Sequence, residues 1–360
     1  MRILAIETSC DETAAAILEI KNSYFNLRSN IISSQVKIHA KYGGIVPEVA
    51  ARKQIEMIMP VINKAVICLP GKNLKEKIKN INYIAVTQGP GLITSLTVGV
   101  ETAKTLAFTL NKPLFLVNHL EGHIYSALLN KNQNYGKLIK IKFPVLALIV
   151  SGGHTMLVLI KKNNNKIIGE TLDDAVGEAF DKAAKILNLG YPGGPIIAKL
   201  AAKGNSKKFN LPRPMLKSHD FNFSFSGLKT ALLYLVRDLK RQKKLSTQTI
   251  QDICASFEQA CVDVLIAKTL SAIEKFKPST FILGGGVAAN QLLRQTLAQK
   301  IRTEFPKIKI LMPEMKFTGD NAAMIALAGY YMIGSQIKFG MTKKNNYKKI
   351  KAEPNLKLSA

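Results

Sequence analysis

The chain has 360 residues, 47% of them hydrophobic, with 51 Lys and Arg against 24 Asp and Glu for a formal net charge of +27. That hydrophobic content excludes a disordered protein, and the length suffices for two lobes, each with its own core. Apolar runs such as Ala322–Gly334 fall short of the roughly 20 residues a membrane span needs, so no membrane partner is expected. The positive charge attracts polyanions, nucleic acid first, although lysine and asparagine are scattered widely enough for compositional drift to produce the same balance. The N-terminus meets Glu7 and Asp11 without a basic, apolar export signal. Cys10, Cys68, Cys254 and Cys261 form no C-x-x-C pair, so reduced thiols and a cytoplasmic location are expected.

In chain order, residues 3–7 and 13–18 read as buried strands around a small polar turn at 8–12. Residues 84–87 read as a strand, followed by the Gly89-Pro-Gly91 turn and a helix through 94–110. A strand at 113–117 then delivers His119 and His123. The second half repeats the plan. Strands at 145–150 and 155–160 flank the Ser151-Gly-Gly-His154 turn. Acids cluster at Asp173, Asp174, Glu178 and Asp181, and a loop-rich stretch at 190–225 leads to a helix pair at 228–240 and 247–275. A strand at 280–283, Gly284-Gly-Gly286 and a helix at 290–301 follow, and a last strand at 308–312 precedes Asp320. Strands alternating with helices, twice over, predict an α/β fold of two similar lobes.

His119 and His123 stand at i, i+4 spacing, which puts both imidazoles on one helical face. With Asp320 from the corresponding place in the second half, they form a two-histidine, one-carboxylate set that leaves coordination positions open. Such a set suits Fe(II) or Zn(II). The protease motif H-E-x-x-H needs glutamate directly after the first histidine, whereas that position is Leu120 and the acid is Glu121. About 200° round the helix from His119, Glu121 should point away from a metal, which disfavours protease chemistry. The glycine turns at 151–154 and 284–286 offer backbone N–H groups to a phosphate or nucleotide, but neither is a P-loop. Acids in a first helical turn commonly just complement the helix dipole; Asp181 lies beyond that turn. Ser226-Gly-Leu-Lys229 lacks the companion motifs of a serine acylase.

The motifs Ile6-Glu-Thr-Ser-Cys-Asp-Glu-Thr13, Gln88-Gly-Pro-Gly-Leu92, Asn118-His-Leu-Glu-Gly-His123, Val150-Ser-Gly-Gly-His-Thr155, Gly177-Glu-Ala-Phe-Asp-Lys182, Tyr191-Pro-Gly-Gly194, Gly285-Gly-Val-Ala-Ala-Asn290 and Thr318-Gly-Asp-Asn321 occur together in this order. From residue 1 to about residue 340 the chain closely resembles the TsaD family, once described as an O-sialoglycoprotein endopeptidase. The resemblance implies the actin/Hsp70/sugar-kinase (ASKHA) fold, two RNase-H-like lobes with an interlobe cleft. It places a first lobe at 1–142 and a second at 143–340 with a helical insertion, its last helix packing back on the first lobe, and leaves a basic tail at 341–360. It implies transfer of the threonylcarbamoyl group of threonylcarbamoyl-adenylate to N6 of adenosine 37 in tRNAs reading codons that begin with A, releasing AMP.

Carried over by position, the resemblance makes His119, His123 and Asp320 ligands of one divalent metal per subunit, Fe(2+) first and Zn(2+) second. It assigns Ile149, Val150, Ser151, Gly152, Gly153, Asp181, Gly194 and Asn290 to adenylate binding, and it makes Asp11 a residue needed for activity, orienting the attacking amine or accepting its proton. In bacteria the family works with a TsaB-like paralogue and a TsaE-like P-loop ATPase, and in archaea and eukaryotes within the KEOPS complex; the form of this chain points to the bacterial set. Three positions depart from the family pattern. Asn118 replaces the first of two consecutive histidines. Ala198 stands where some members carry an acid for the ribose. The lysine-rich end, 343–360, is atypical and reads as a tRNA contact or an unstructured tail. A metallopeptidase and a non-catalytic ATP-binding scaffold are the competing readings.

Overall fold

The computed structural model describes residues 1–129, 135–162, 164–334, 341–342 and 347–358. The first part of the chain forms β1 (Arg2–Glu7), β2 (Glu12–Lys21), β3 (Tyr24–Ser34), the single turn α1 (Val36–His39), α2 (Pro47–Val66), α3 (Leu74–Lys79), β4 (Tyr83–Gly89), α4 (Ile93–Leu110), β5 (Leu114–Asn118), α5 (His119–Ser126) and β6 (Tyr135–Lys137). β1 is apolar from Ile3 to Ile6 and buried from Ile3 to Glu7, because its sheet is covered on both faces. It pairs antiparallel with β2 and parallel with β4. β2 is unusually rich in alanine, and the small side chains at Ala14, Ala15 and Ala16, all fully buried, let a helix approach closely.

The next stretch forms β7 (Val145–Val150), β8 (Thr155–Lys161), β9 (Asn164–Glu170), α6 (Val176–Ile186), α7 (Gly193–Ala201), α8 (Ser226–Arg241), α9 (Thr247–Phe276), β10 (Thr280–Gly284), α10 (Gln291–Glu304) and β11 (Lys309–Leu311). The expected helix pair is present as α8 and α9. Ser246 caps α9, its side chain accepting from the Thr249 N–H. α9 has buried residues on every side, from Ile253 to Ile273, and forms the centre of this unit's apolar core with Phe180, Phe223 and Phe281.

The chain closes with α11 (Ala322–Gly334) and the short β12 (Met341–Thr342). It divides into two units: residues 1–38, 45–140 and 313–359 in the first, and 39–44 and 141–312 in the second. The first holds a seven-stranded sheet in the order β12-β5-β4-β1-β2-β3-β6, the second a five-stranded sheet in the order β11-β10-β7-β8-β9. Within each, an opening hairpin is extended by a third antiparallel strand, and two further strands add parallel on the other side. The duplication expected from strands and turns is therefore one of topology. β3 and β9, the third strand of each copy, escaped the reading because their patterns mix polar and apolar residues with little burial.

Residues 347–358 pack on the first unit. The Gln88 carbonyl accepts the Glu353 N–H at 2.9 Å, the Gly91 N–H donates to the Pro354 carbonyl at 3.1 Å, and Asn118 Nδ2 donates to the Lys357 carbonyl at 3.0 Å. The expected tail residues 343–346 and 359–360 lie outside the described residues.

Candidate metal centre and glycine turns

α5 begins where β5 ends, at Asn118, whose side-chain oxygen accepts the Leu120 N–H at 2.9 Å. The helix turns once between His119 and His123, and their rings meet edge-on with centroids 4.6 Å apart. α5 lies against α11 at Gly122, where a Cβ would come within 2.8 Å of Ile325 Cδ1. Glycine leaves room there for the Ile325 and Met324 side chains at the start of α11. Asn321 caps α11, accepting the Met324 N–H at 3.1 Å and donating to the Gly319 carbonyl at 2.8 Å. The capped turn presents Asp320, whose Oδ1 lies 3.2 Å from His123 Nε2 and 3.6 Å from His119 Nε2. One ligand atom from each of His119, His123 and Asp320 falls within 4.8 Å of the others, so the group could hold a metal ion.

The surroundings of the rings test that fit. His123 is fully buried, and neither of its ring nitrogens has a hydrogen-bond partner among the described residues; the approach of Asp320 is close but off the line of an N–H donor. A buried imidazole left this way costs free energy unless another partner, such as a cation, meets the nitrogen lone pair. His119 Nδ1 faces Ser9 Oγ at 3.1 Å and Glu7 Oε2 at 3.2 Å. Burial disfavours its imidazolium, but the Asp320 and Glu7 carboxylates outweigh burial and raise the pKa to about 9. Two imidazoles and a carboxylate are a nitrogen-rich set typical of transition-metal sites. Glu121 is not part of the group; burial pushes its carboxyl up to about 6. The glutamate of this segment stands two residues after His119, not directly after it as in the zincin motif.

The turn between β1 and β2 borders this cluster. Gln54, buried on α2, spreads its Nε2 over three carbonyls of the turn: Thr8 at 3.4 Å, Cys10 at 2.8 Å and Glu12 at 3.1 Å. Asp11 is buried within the turn. Burial, then the charges of Asp320 and Asp11, push the Cys10 thiol well up; burial, then Asp11 and Asp320, do the same to the Glu12 carboxyl. Asp11 and Asp320 thus share one electrostatic neighbourhood. Glu7 and Gln54 were missed in the sequence, although a lone acid closing an otherwise apolar strand was a usable signal.

In the second unit, Ile149 and Val150 are buried backbone of β7, and Ser151 closes the following turn, its N–H donating to the His154 carbonyl at 2.8 Å. Nothing stands within 4 Å of a Cβ built at Gly152, Gly153 or Gly194, so no neighbouring atom crowds these glycines on that side. The start of α6 is tied to the first turn by the Gly177 N–H on the Ser151 carbonyl at 3.3 Å. Asp181 accepts the Gly193 N–H at 2.7 Å, which anchors the α7 start beside Gly194. Gly285 has φ +93° and lies where a Cβ would come within 2.3 Å of the Val150 carbonyl, so the second glycine turn seats directly on β7. Asn290 starts α10. Its side chain caps α10 through the Leu293 N–H at 2.9 Å and donates to Glu258 Oε1 at 2.6 Å, so both ends are engaged in the fold. Asp173 and Asp174 precede α6 and do more than complement its dipole: Asp173 accepts from Ser224 and Ser226, and Asp174 pairs with Lys182 and Lys229.

Comparison with known proteins follows this geometry. The family model described as TsaD, tRNA N6-adenosine threonylcarbamoyltransferase, matches residues 26–327. A tRNA N6-adenosine threonylcarbamoyltransferase of Thermosipho africanus is 45% identical over 99% of this chain and 100% of its own length. Proteins of the same description from Listeria welshimeri and Protochlamydia amoebophila are each 44% identical, covering 99% and 94% of this chain and 96% and 94% of their own. Among solved structures, HypF of T. kodakarensis superposes with a TM-score of 0.58 at 14% identity over 93% of this chain and 48% of that one. A full-length HypF in a phosphate- and nucleotide-bound form gives 0.55 at 14% identity, over 94% and 47%. This chain thus spans about half the length of those HypF chains, and the likeness is one of fold, the ASKHA type of α/β architecture.

Proposed function

We propose a division of labour between the two units from the premise that the chain belongs to the TsaD family of tRNA N6-adenosine threonylcarbamoyltransferases. The chain is an acyltransferase that forms N6-threonylcarbamoyladenosine in tRNA. Within that activity, His119, His123 and Asp320 hold one divalent metal, Fe(2+) in preference to Zn(2+). The observation that carries this reading is a fully buried His123 without a hydrogen-bond partner among the described residues, converging with His119 and Asp320. When bound, such an ion supplies Lewis-acid polarisation of substrate oxygens.

The remaining steps belong to the protein's own residues. The donor, threonylcarbamoyl-adenylate, is a mixed anhydride with a good leaving group, so no protein nucleophile is required. The N–H groups at Gly152, Gly153 and Gly194, with Ser151 and Asp181, take its adenylate half, while Ile149 and Val150 supply the buried strand that fixes the turn. Asn290 serves this site by setting the start of α10. The exocyclic amine of adenosine 37 is a poor nucleophile, so positioning supplies most of the rate. Asp11 orients that amine or accepts its proton. Cytoplasmic tRNA, a TsaB-like paralogue and a TsaE-like P-loop ATPase complete the system, a reading that rests on the resemblance.

The test incubates the protein and these partners with synthetic threonylcarbamoyl-adenylate and an unmodified tRNA reading a codon that begins with A. Digested tRNA is then analysed by mass. Modified nucleoside is expected with the native chain, and its loss in His123→Ala and Asp320→Ala. Undiminished product in both variants would refute the metal role.

A further inference from the structure

We infer that Glu7 is a positioning residue for the metal centre: it holds the His119 imidazole by Nδ1, so that Nε2 is the nitrogen turned toward His123 and Asp320. The inference rests on the reading of His119, His123 and Asp320 as metal ligands.

Glu7 closes β1 after four buried apolar residues and has no solvent exposure. A carboxylate in such a place is costly unless each oxygen is satisfied. Here Oε1 accepts the Ser9 N–H at 2.5 Å, and Oε2 accepts the Thr87 hydroxyl at 2.5 Å and faces His119 Nδ1 at 3.2 Å. Donors from the turn after β1 and from β4 thus clamp the carboxylate, and the clamped carboxylate in turn faces α5. A carboxylate can only accept, so in the neutral imidazole Nδ1 is the nitrogen that carries the proton, which leaves the Nε2 lone pair for a ligand. Ser9 Oγ, 3.1 Å from the same nitrogen, can accept there too. His123 has no such partner at Nδ1 among the described residues. The orientation device serves one histidine, the one whose Nε2 is farther from Asp320, at 3.6 Å against 3.2 Å. A carboxylate behind a metal-bound histidine fixes its tautomer and raises its basicity.

In Glu7→Gln, the amide either offers Nδ1 a donor, which opposes the metal-binding tautomer, or keeps its oxygen there and turns its NH₂ against the Ser9 N–H, which breaks the clamp that holds the group. The experiment reads metal affinity without tRNA or donor: stripped protein competes with a chromophoric chelator for Zn(2+) and for Co(2+), and circular dichroism checks the fold. A 10- to 100-fold weaker Kd is expected for Glu7→Gln, in line with the usual cost of removing such a partner. Glu7→Asp, which withdraws the carboxylate by a methylene, should also bind more weakly. Thr87→Val leaves Glu7 in place with one donor fewer; it should shift the Kd in the same direction by less and keep the inference testable if neither Glu7 variant folds. Folded Glu7 variants, or Thr87→Val where they do not fold, binding both metals like the native chain would overturn the positioning role. A native chain that binds neither metal would instead overturn the ligand reading on which it rests.

Discussion

In the metal-free chain the His119 imidazole lies between two carboxylates, Glu7 and Asp320, which together outweigh burial and raise its pKa from 6.5 to about 9. A raised pKa in the folded state means that the folded chain binds the proton more tightly than the unfolded one. The resulting stability is fully present below pH 6.5 and is lost as the pH rises through about 9. The magnitude is on the order of 3 kcal/mol. Melting of chelator-treated protein should therefore fall between pH 6.5 and 9, and added metal should flatten the profile, because a ligated imidazole is already neutral. Glu121 titrates below this window, its carboxyl raised to about 6 by burial. Equal melting temperatures at pH 6.5 and 9 in the stripped protein would contradict the placement of His119 between the two acids. The pairing of the two histidines was legible in the sequence, because i, i+4 spacing and helix geometry dictate a shared face. Their supporting partners were not: Glu7 and Thr87 act through strand register, and Gln54 acts across from α2, relations that only the folded sheet creates. For Asn290 the sequence did not reveal a side chain committed to Glu258 and the α10 cap, which depend on a partner in α9.

At the level of elements, the centre depends on how closely two helices meet. α5 carries the histidines, the turn before α11 carries Asp320, and Gly122 is where the helices touch. Replacing Gly122 with valine would drive branched carbons into Ile325 and Met324, whose nearest atoms lie only 2.8 and 3.1 Å from a built Cβ. Overpacking of this kind costs about 1–3 kcal/mol. Gly122→Val should lower stability by that amount in denaturant unfolding and weaken metal uptake together, since the separation moves Asp320 from both rings. A variant as stable as the native chain, with unchanged uptake, would show that the helix contact does not set the ligand distances. The strands and helices that frame the site were mostly readable, because buried strands run apolar and helices carry glycine turns or caps at their starts. β3 and β9 were not, since half-exposed strands with asparagine and lysine give no period that a sequence reading can trust.

Across the whole molecule, one topology occurs twice. Each unit sets its strands in the same order around an opening hairpin, and each presents side chains or turns where strands end: the imidazoles after β5 in the first, the glycine turns after β7 and β10 in the second. The placement of the last residues was not legible. A lysine-rich composition suggests a loose or tRNA-seeking end, whereas residues 351–358 form backbone hydrogen bonds beside Gln88, Gly91 and the cap of α5. Such docking depends on main-chain groups, which composition does not reveal. The measurement that tests the account most directly follows transfer to tRNA by chelator-stripped protein as Fe(2+) is returned in measured equivalents per chain. The stripped enzyme should be inactive and should regain full activity at one equivalent. Full transfer by protein verified to hold no metal would contradict the account at its centre.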